Sequence, residues 1–293
     1  MQDLLDPSRG LSGFVTSRGN ELQPGTVLGR IATLEVRLAG GAHDISVAQK
    51  LRYRVFHEEL GAKGATLASA ADQVDADRFD DVCDHLLVID RGTDGTKNEV
   101  VGTYRLLRQD VAMATGGFYS SAEFEIDRLV ARHPDIRFLE LGRSCVLPEY
   151  RSRRTIELLW QGIWAYVRHY GIGAMTGCAS FHGTVPAAHA QALSFLAQNC
   201  RAGGDWRVSA VPSRYHEMDL MPAEAIDARA ALNEMPPLIK GYLRLGAKIG
   251  DGCVVDHEFG TTDVFIVLPV ESISSRYINY YGADADRFAP RVS

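Results

Sequence analysis

No apolar run in the 293-residue chain approaches the ~20 residues that a membrane-spanning helix needs. The N-terminal stretch also lacks the apolar core of a signal peptide. The protein is therefore expected neither to span a bilayer nor to be exported by a signal sequence. Cysteine is scarce: Cys83, Cys145, Cys178, Cys200 and Cys253 are scattered, with no C-x-x-C pair. An odd, dispersed set excludes a disulfide framework and fits reduced thiols in the cytoplasm. An excess of basic residues is missing too. The formal net charge is −6, which argues against a general nucleic-acid binder. There is no G-x-G-x-x-G, no P-loop, no clustered ligand spacing for a metal, no internal repeat and no low-complexity tract.

What is present reads as one mixed α/β domain over residues 30–270, between a polar, aperiodic tail at 1–29 and a second tail at 271–293. Residues 30–38 alternate apolar and polar like a half-buried strand. Residues 43–60 have helical spacing, with Asp44 as N-cap and Gly61 as stop. His85–Asp90 and Glu99–Leu107 read as a strand hairpin across the turn 91–98. A small-residue loop is expected at 112–121 and a short strand at 124–127. After the central stretch come a helix from Thr155 to Tyr170 that Gly171 ends, a strand at 174–181, and a helix at 187–200. A mixed insertion follows, then a short helix at 237–245 and a last strand at 264–268.

The chain is organised around Leu139-Glu-Leu-Gly-Arg-Ser-Cys-Val-Leu-Pro-Glu-Tyr-Arg-Ser-Arg-Arg-Thr-Ile156. Leu139, Leu141, Cys145, Val146 and Leu147 make an apolar strand, and Pro148 cannot donate to a ladder, so the strand ends there. Arg151, Arg153 and Arg154 then meet a helix start, with Thr155 placed to cap it. A helix N-terminus offers free N–H groups and a positive dipole end, and three guanidiniums complete an anion site suited to a phosphate.

Val146-Leu-Pro-Glu-Tyr-Arg151 resembles the V-x-P-x-Y-R of GNAT-type acyltransferases, which precedes the helix that binds a pantetheine pyrophosphate. Arg153 and Arg154 replace the usual glycines of that turn. Leu51-Arg-Tyr-Arg-Val-Phe56, Asp80, Asp84, Gly102-Thr-Tyr-Arg105, Phe118 and Glu140-Leu-Gly-Arg143 resemble the signature of acyl-homoserine-lactone synthases. That family has Trp where this chain has Ala62, and it lacks a segment like Pro236–Ala247. That segment, Cys83–Asp90 and the whole span from Leu28 to Pro269 are similar to the ornithine N-acyltransferases of ornithine-lipid synthesis. The resemblance implies a GNAT-like mixed central sheet flanked by helices, with a C-terminal extension. It also implies transfer of a 3-hydroxyacyl chain from the phosphopantetheine arm of acyl carrier protein to the α-amine of L-ornithine, with no other cofactor. A glutamine acceptor, a homoserine-lactone synthase and a non-catalytic, membrane-associated scaffold are the alternatives.

The reaction so implied needs a neutral amine, an oxyanion donor and a cradle for the pantetheine arm. Glu140 is the expected base, and Gly142 is where a bulge would turn Glu140 and Arg143 to one side. Arg105 and Arg143 are read as holding the substrate carboxylate or ordering the small-residue, acidic loop expected at 64–84. Asp80 and Asp84 are read as binding the cationic side chain or pairing those arginines. Of Arg52 and Arg54 on the first helix, one is expected to be solvated surface. Phe56 and Phe118 are expected as core or acyl-pocket walls. Val146, Arg151, Arg153, Arg154 and Thr155 would hold the donor arm, and the arginine turn would dock acyl carrier protein. Cys145 is read as core rather than nucleophile, and His182 as a loop histidine. Gly241–Lys248 mixes basic and apolar residues, as a segment lying at a bilayer surface does, or as an amphipathic core helix does. The implied location is the cytoplasm, with peripheral contact at the inner membrane.

Overall fold

The computed structural model describes residues 21–64, 71–274 and 277. The stretch read as one strand over 30–38 is two antiparallel strands, β1 (Val27–Ile31) and β2 (Leu34–Leu38). They are joined by a tight turn in which Ala32 adopts φ 55°. The turn is Ala32-Thr33, without the glycine or asparagine that marks such a reversal, so the sequence carries no signal for it. β1 begins inside the expected N-terminal tail, and Leu22 is buried there too, its N–H donating to Tyr170 Oη at 3.0 Å. Residues 1–20 of that tail and 278–293 of the C-terminal one lie outside the described residues.

α1 (Ala42–Tyr53) continues into a π-helical turn, Arg54–Glu59. Its N-cap is Gly41 rather than Asp44. The Asp44 carboxylate lies one turn in, where it accepts from Gly40 N at 2.6 Å and pairs with Arg37. The hairpin of β3 (Asp84–Asp90) and β4 (Glu99–Arg108) is as read. β3 is buried on both faces, which is why it is apolar without alternation: Leu87 and Ile89 pack with Ala48 of α1, while Leu86 and Val88 join the main core. The expected loop at 112–121 contains part of α2 (Gln109–Thr115) and of a 3-10 turn (Tyr119–Ala122). The expected strand at 124–127 reduces to one bridge, Phe124 to Ala210, before α3 (Ile126–Ala131).

β5 (Phe138–Val146), α4 (Arg153–Tyr170) and β6 (Ala174–His182) form the strand–helix–strand unit at the centre. α4 is strongly amphipathic: Leu158, Leu159, Ile163, Tyr166 and Val167 are buried, and it packs across β1, β2 and β3. Its N-cap is Ser152, whose Oγ accepts from Thr155 N at 3.3 Å. Thr155 is thus not the cap but a buried residue three positions inside. Gly171, at φ 59°, ends the helix as read.

α5 (Ala190–Asn199), α6 (Ala228–Glu234) and α7 (Pro237–Leu245) follow, then β7 (Lys248–Ile249), β8 (Val254–Asp256) and β9 (Thr261–Pro269). The strands make one sheet in the order β1-β2-β3-β4-β5-β6-β9-β7, with β8 also on β9. Every pairing is antiparallel except β5–β6. α7 buries Ile239, Tyr242 and Leu245, and Tyr242 Oη lies 3.1 Å from Tyr104 Oη. The apolar face of this segment therefore belongs to the core, the second of its two readings. Among the described residues no helix is long and apolar enough to cross a membrane.

Candidate active site

The parallel ladder between β5 and β6 covers only Phe138–Glu140 against Ala174–Thr176. Beyond it the two strands separate. The parting begins at Gly177, where a Cβ would stand 2.3 Å from the Leu141 carbonyl oxygen, so only glycine fits. On its other side β5 carries a bulge. Thr103 pairs with Cys145 and Arg105 with Gly142, leaving Tyr104 opposite both Arg143 and Ser144. The bulge thus falls one residue later than Gly142, and Arg143 itself adopts φ 49°. The splay opens a cavity of about 250 Å³ lined by Glu140, Arg143, Arg105, Tyr119 and residues of β6 and β9, with Phe56 and Tyr242 among its other walls.

The acidic loop and the predicted arginines form one closed ionic network. Arg52, fully buried, pairs with Asp75 and Asp80 at 2.8 Å each. Arg105 pairs with Asp77 at 2.6 Å and Asp80 at 3.4 Å. Arg143 reaches Asp75 at 3.3 Å and Asp77 at 3.2 Å, its guanidinium lying against the Tyr119 and Phe259 rings. Three guanidiniums meet three carboxylates. Burial opposes the Asp80 charge, yet Arg52 and Arg105 hold its carboxyl well below the usual range. Arg105, Arg143 and Asp80 therefore order the loop, one of the two roles expected of them. Asp84 stands apart: it accepts from Tyr166 Oη at 2.6 Å and faces Arg108. Arg54 is the solvated member of its pair, half-exposed beside Glu149. Phe56 lines the cavity, and Phe118 is core, buried in a separate apolar cluster with Phe124 and Phe265 where it borders a second cavity; each takes one of the two roles expected.

Glu140 is buried at the head of the cleft. Its Oε2 accepts from Tyr119 N at 2.7 Å and its Oε1 from Ser120 N at 2.9 Å, so the carboxylate closes the start of the 3-10 turn. Burial raises its pKa, and those two donors hold the rise back. Cys145 is buried in the core and burial pushes its thiol far up, which fits a packing role. At the strand–helix junction, Arg151 donates from Nε to the Val146 carbonyl at 3.0 Å and makes a two-pronged pair with Glu59. Arg153 pairs with Glu157 along the helix while staying largely exposed, and Arg154 is exposed. These residues sit at the helix start, outside the walls of the cavity.

Sequence reasoning missed two residues of the cavity wall, Asp256 and Asp263, and Glu123 next to them. Glu123, Asp256 and Asp263 are buried, with ligand oxygens within 4.8 Å of one another. Burial, with Asp263 nearby, pushes Glu123 up to about 7, and burial pushes Asp263 up to about 6. Asp263 immediately precedes the apolar run Val264–Leu268 of β9, and that was the available signal. A charged residue on a central strand needs a partner or a purpose.

The acetyltransferase (GNAT) domain model matches residues 51–161. The L-ornithine N(alpha)-acyltransferase of Brucella abortus is 62% identical over 263 residues, spanning 89% of this chain and 93% of that protein. The enzyme of the same name from Rhizobium meliloti is 61% identical over 268 residues, spanning 91% and 90%. The crystal structure of the AHL synthase LasI superposes with a TM-score of 0.47 at 13% identity, covering 86% of this chain and 96% of that chain. With that degree of identity over nearly the whole length of both relatives, this chain belongs to the L-ornithine N(alpha)-acyltransferase family.

Proposed function

We propose that the protein transfers a 3-hydroxyacyl group from acyl carrier protein to the α-amine of L-ornithine, giving a lyso-ornithine lipid. The observation that carries this reading, beside the family, is the parting of β5 from β6. It leaves the edge of β5 from 141 to 146 without a strand partner on the cleft side. An extended pantetheine arm carries amides that can pair with such an edge, as a peptide adds to a sheet. A thioester so held would end beside Glu140 and the bulge. The amine nitrogen attacks the thioester carbonyl carbon, the C–N bond forms and the C–S bond breaks. The proton that the neutral amine loses ends on the pantetheine thiol. An acceptor that arrives as an ammonium must first give up one further proton, and Glu140 is its acceptor in this reading.

The arginine turn supplies the docking charge. Arg153 and Arg154 are exposed at the N-terminus of α4, next to the exposed apolar side chain of Ile156. A basic rim around an apolar residue suits an acidic helix face such as a carrier protein presents. The product is amphiphilic, so the reading includes a peripheral contact with the bilayer, made elsewhere than by α7. The test is to incubate purified protein with 3-hydroxyacyl carrier protein and a panel of amino acids, and to identify the products by mass spectrometry. Acylated ornithine is the expected product. Equal use of acyl-coenzyme A would overturn the carrier-protein assignment.

A further inference from the structure

The two charge clusters that flank the cleft differ in one respect. The arginine network is internally balanced, whereas Glu123, Asp256 and Asp263 have among the described residues a single cation within salt-bridge distance, Arg214, 3.2 Å from Glu123. Three carboxylates, each at least nine-tenths buried, face one guanidinium. Asp256 Oδ1 accepts from Glu258 N at 2.7 Å and Phe259 N at 3.0 Å. Glu123 Oε2 has only the thiol of Cys178, at 3.4 Å. Asp263 Oδ1 and Thr261 Oγ1 beside it each lack a hydrogen bond of normal geometry, and the groups that face the Asp263 carboxylate are the neutral hydroxyls of Thr261 and Ser180 rather than a cation. Asp256, Asp263 and Thr261 line the cleft cavity, and Glu123 lines with Asp256 a second cavity of about 740 Å³ that shares Asp256 and Tyr119 with it. Buried carboxylates left short of positive charge are costly unless a cation joins them.

We propose that Glu123, Asp256 and Asp263 bind the terminal ammonium of the acceptor amino acid and thereby select a diamino acid over a neutral one. This rests on the reading of the cleft as the site of ornithine acylation. The sheet register supports the fit. Glu140 lies opposite Thr176, and Asp263 lies opposite Ser180, four residues further along β6. At ~3.3 Å per residue that is about 13 Å along the strand, and because β5 and β9 lie on opposite sides of β6, two interstrand steps of ~4.8 Å put the two backbones about 16 Å apart. In extended ornithine five bonds separate the two nitrogens, roughly 6 Å. A hydrogen bond of ~3 Å at each end brings the carboxylate-to-carboxylate span to about 12 Å, and the side chains of Glu140 and Asp263, both of which line the cavity, cover the remaining ~4 Å. The α-amine would then lie at the Glu140 end, where the thioester is expected, and the δ-ammonium among the three carboxylates. An ammonium has three N–H donors, one for each carboxylate, including that of Asp263.

Norvaline, which is ornithine without its δ-amine, is the probe. Steady-state kinetics are measured with ornithine and norvaline for the wild type, Asp263→Asn and Glu123→Gln, each checked for folding by circular dichroism. Losing one charge-assisted hydrogen bond should raise the KM for ornithine about 10–100-fold, with kcat falling far less. The KM for norvaline should hardly move, so the preference for ornithine collapses. A loss shared equally by both acceptors, or an unchanged preference, overturns the proposal. Calorimetric titration of wild-type protein with ornithine gives a donor-free readout. Wild-type protein that binds ornithine in an Asp263-dependent way, yet acylates nothing, would sink the enzymatic reading and leave the subsite standing. Titration with Mg²⁺, Ca²⁺ and Mn²⁺ covers the rival chemistry. Tight metal binding that Asp263→Asn abolishes would make the triad a metal site and overturn the proposal.

Discussion

Replacing Asp263 by asparagine should stabilise the protein, and should do so most in neutral and alkaline solution. In the folded state Asp263 is held at about 6, against an ordinary 3.8, and Glu123 at about 7, against 4.5. Both carboxyls therefore bind protons more tightly folded than unfolded. Stability then falls as pH rises from about 4 to 7, and the full penalty is present above that window. The sign is opposite to that of a salt-bridged carboxylate such as Asp80. For Asp263 the gap between 3.8 and about 6 corresponds to about 3 kcal/mol at most. Part of it is repulsion shared with Glu123, which the substitution also relieves. At ~2–4 °C per kcal/mol in a chain of this size, Asp263→Asn should melt about 5–10 °C higher than the wild type at pH 8. At pH 5 Asp263 is mostly protonated in the folded chain but not in the unfolded one, so about half of that advantage should remain, and only below about pH 4 should the two curves nearly coincide. Thermal melts followed by circular dichroism at these pH values, without amino acids, give the comparison. A variant that is less stable at pH 8, or whose advantage is the same at pH 5, would refute the burial-and-repulsion account of the triad.

Arg52→Met should lower stability by about 3–5 kcal/mol, because it strands Asp75 and Asp80 without their shared buried partner; the melting temperature reads it directly. Glu140→Gln should reduce turnover by ~10²–10⁴-fold while leaving acyl-donor binding largely intact, and near-normal turnover would remove Glu140 from the mechanism. The pair Arg153→Ala and Arg154→Ala should raise the KM for acyl carrier protein chiefly at low salt, since exposed charges act over a Debye length of ~8 Å at physiological strength. A change confined to the KM for ornithine would disprove that docking role. Gly177→Ala should lower both soluble yield and activity, since its Cβ would stand 2.3 Å from the Leu141 carbonyl oxygen; wild-type behaviour would show that the strands part without glycine there.

The central strand–helix–strand unit was legible because its signals are local. The apolar run of β5, the proline that stops it, the amphipathic stripe of α4 and the glycine that ends it all lie within neighbouring residues. The β1–β2 hairpin was not legible, because Ala32 takes a left-handed conformation that its side chain does not advertise. β7 and β8 are two and three residues long and exist only by pairing with β9. Of the site, Glu140, Arg143, Arg105 and Asp80 were visible through motif and resemblance. The triad was not, since Glu123, Asp256 and Asp263 lie in three separate segments and converge only through the sheet. Asp84 was read into the site through the resemblance, beside Asp80. It opens β3, and its side chain is taken by Tyr166 and Arg108 away from the cleft.

The two charge clusters show why abundance of charge is a poor guide to substrate contact. A group can attract a ligand strongly only with charge that the folded protein has not already neutralised. Arg52, Arg105 and Arg143 are matched one for one by Asp75, Asp77 and Asp80, so a substrate carboxylate arriving there would have to displace a partner already in place. What the network does instead is geometric. It holds Arg143 against the rings of Tyr119 and Phe259, and with it the left-handed residue that makes the bulge. Tyr119 in turn begins the 3-10 turn whose amides fix Glu140. The bulge and the carboxylate at the head of the cleft are thus set by one rigid, neutral assembly before any substrate binds. That is the condition under which positioned groups lower a barrier without reorganising. The carboxylate triad is the reverse case: unbalanced, unsatisfied and costly when empty. A binding site that discriminates by charge has to carry that cost in the free protein, because a site stable without its ligand has correspondingly less to gain from it.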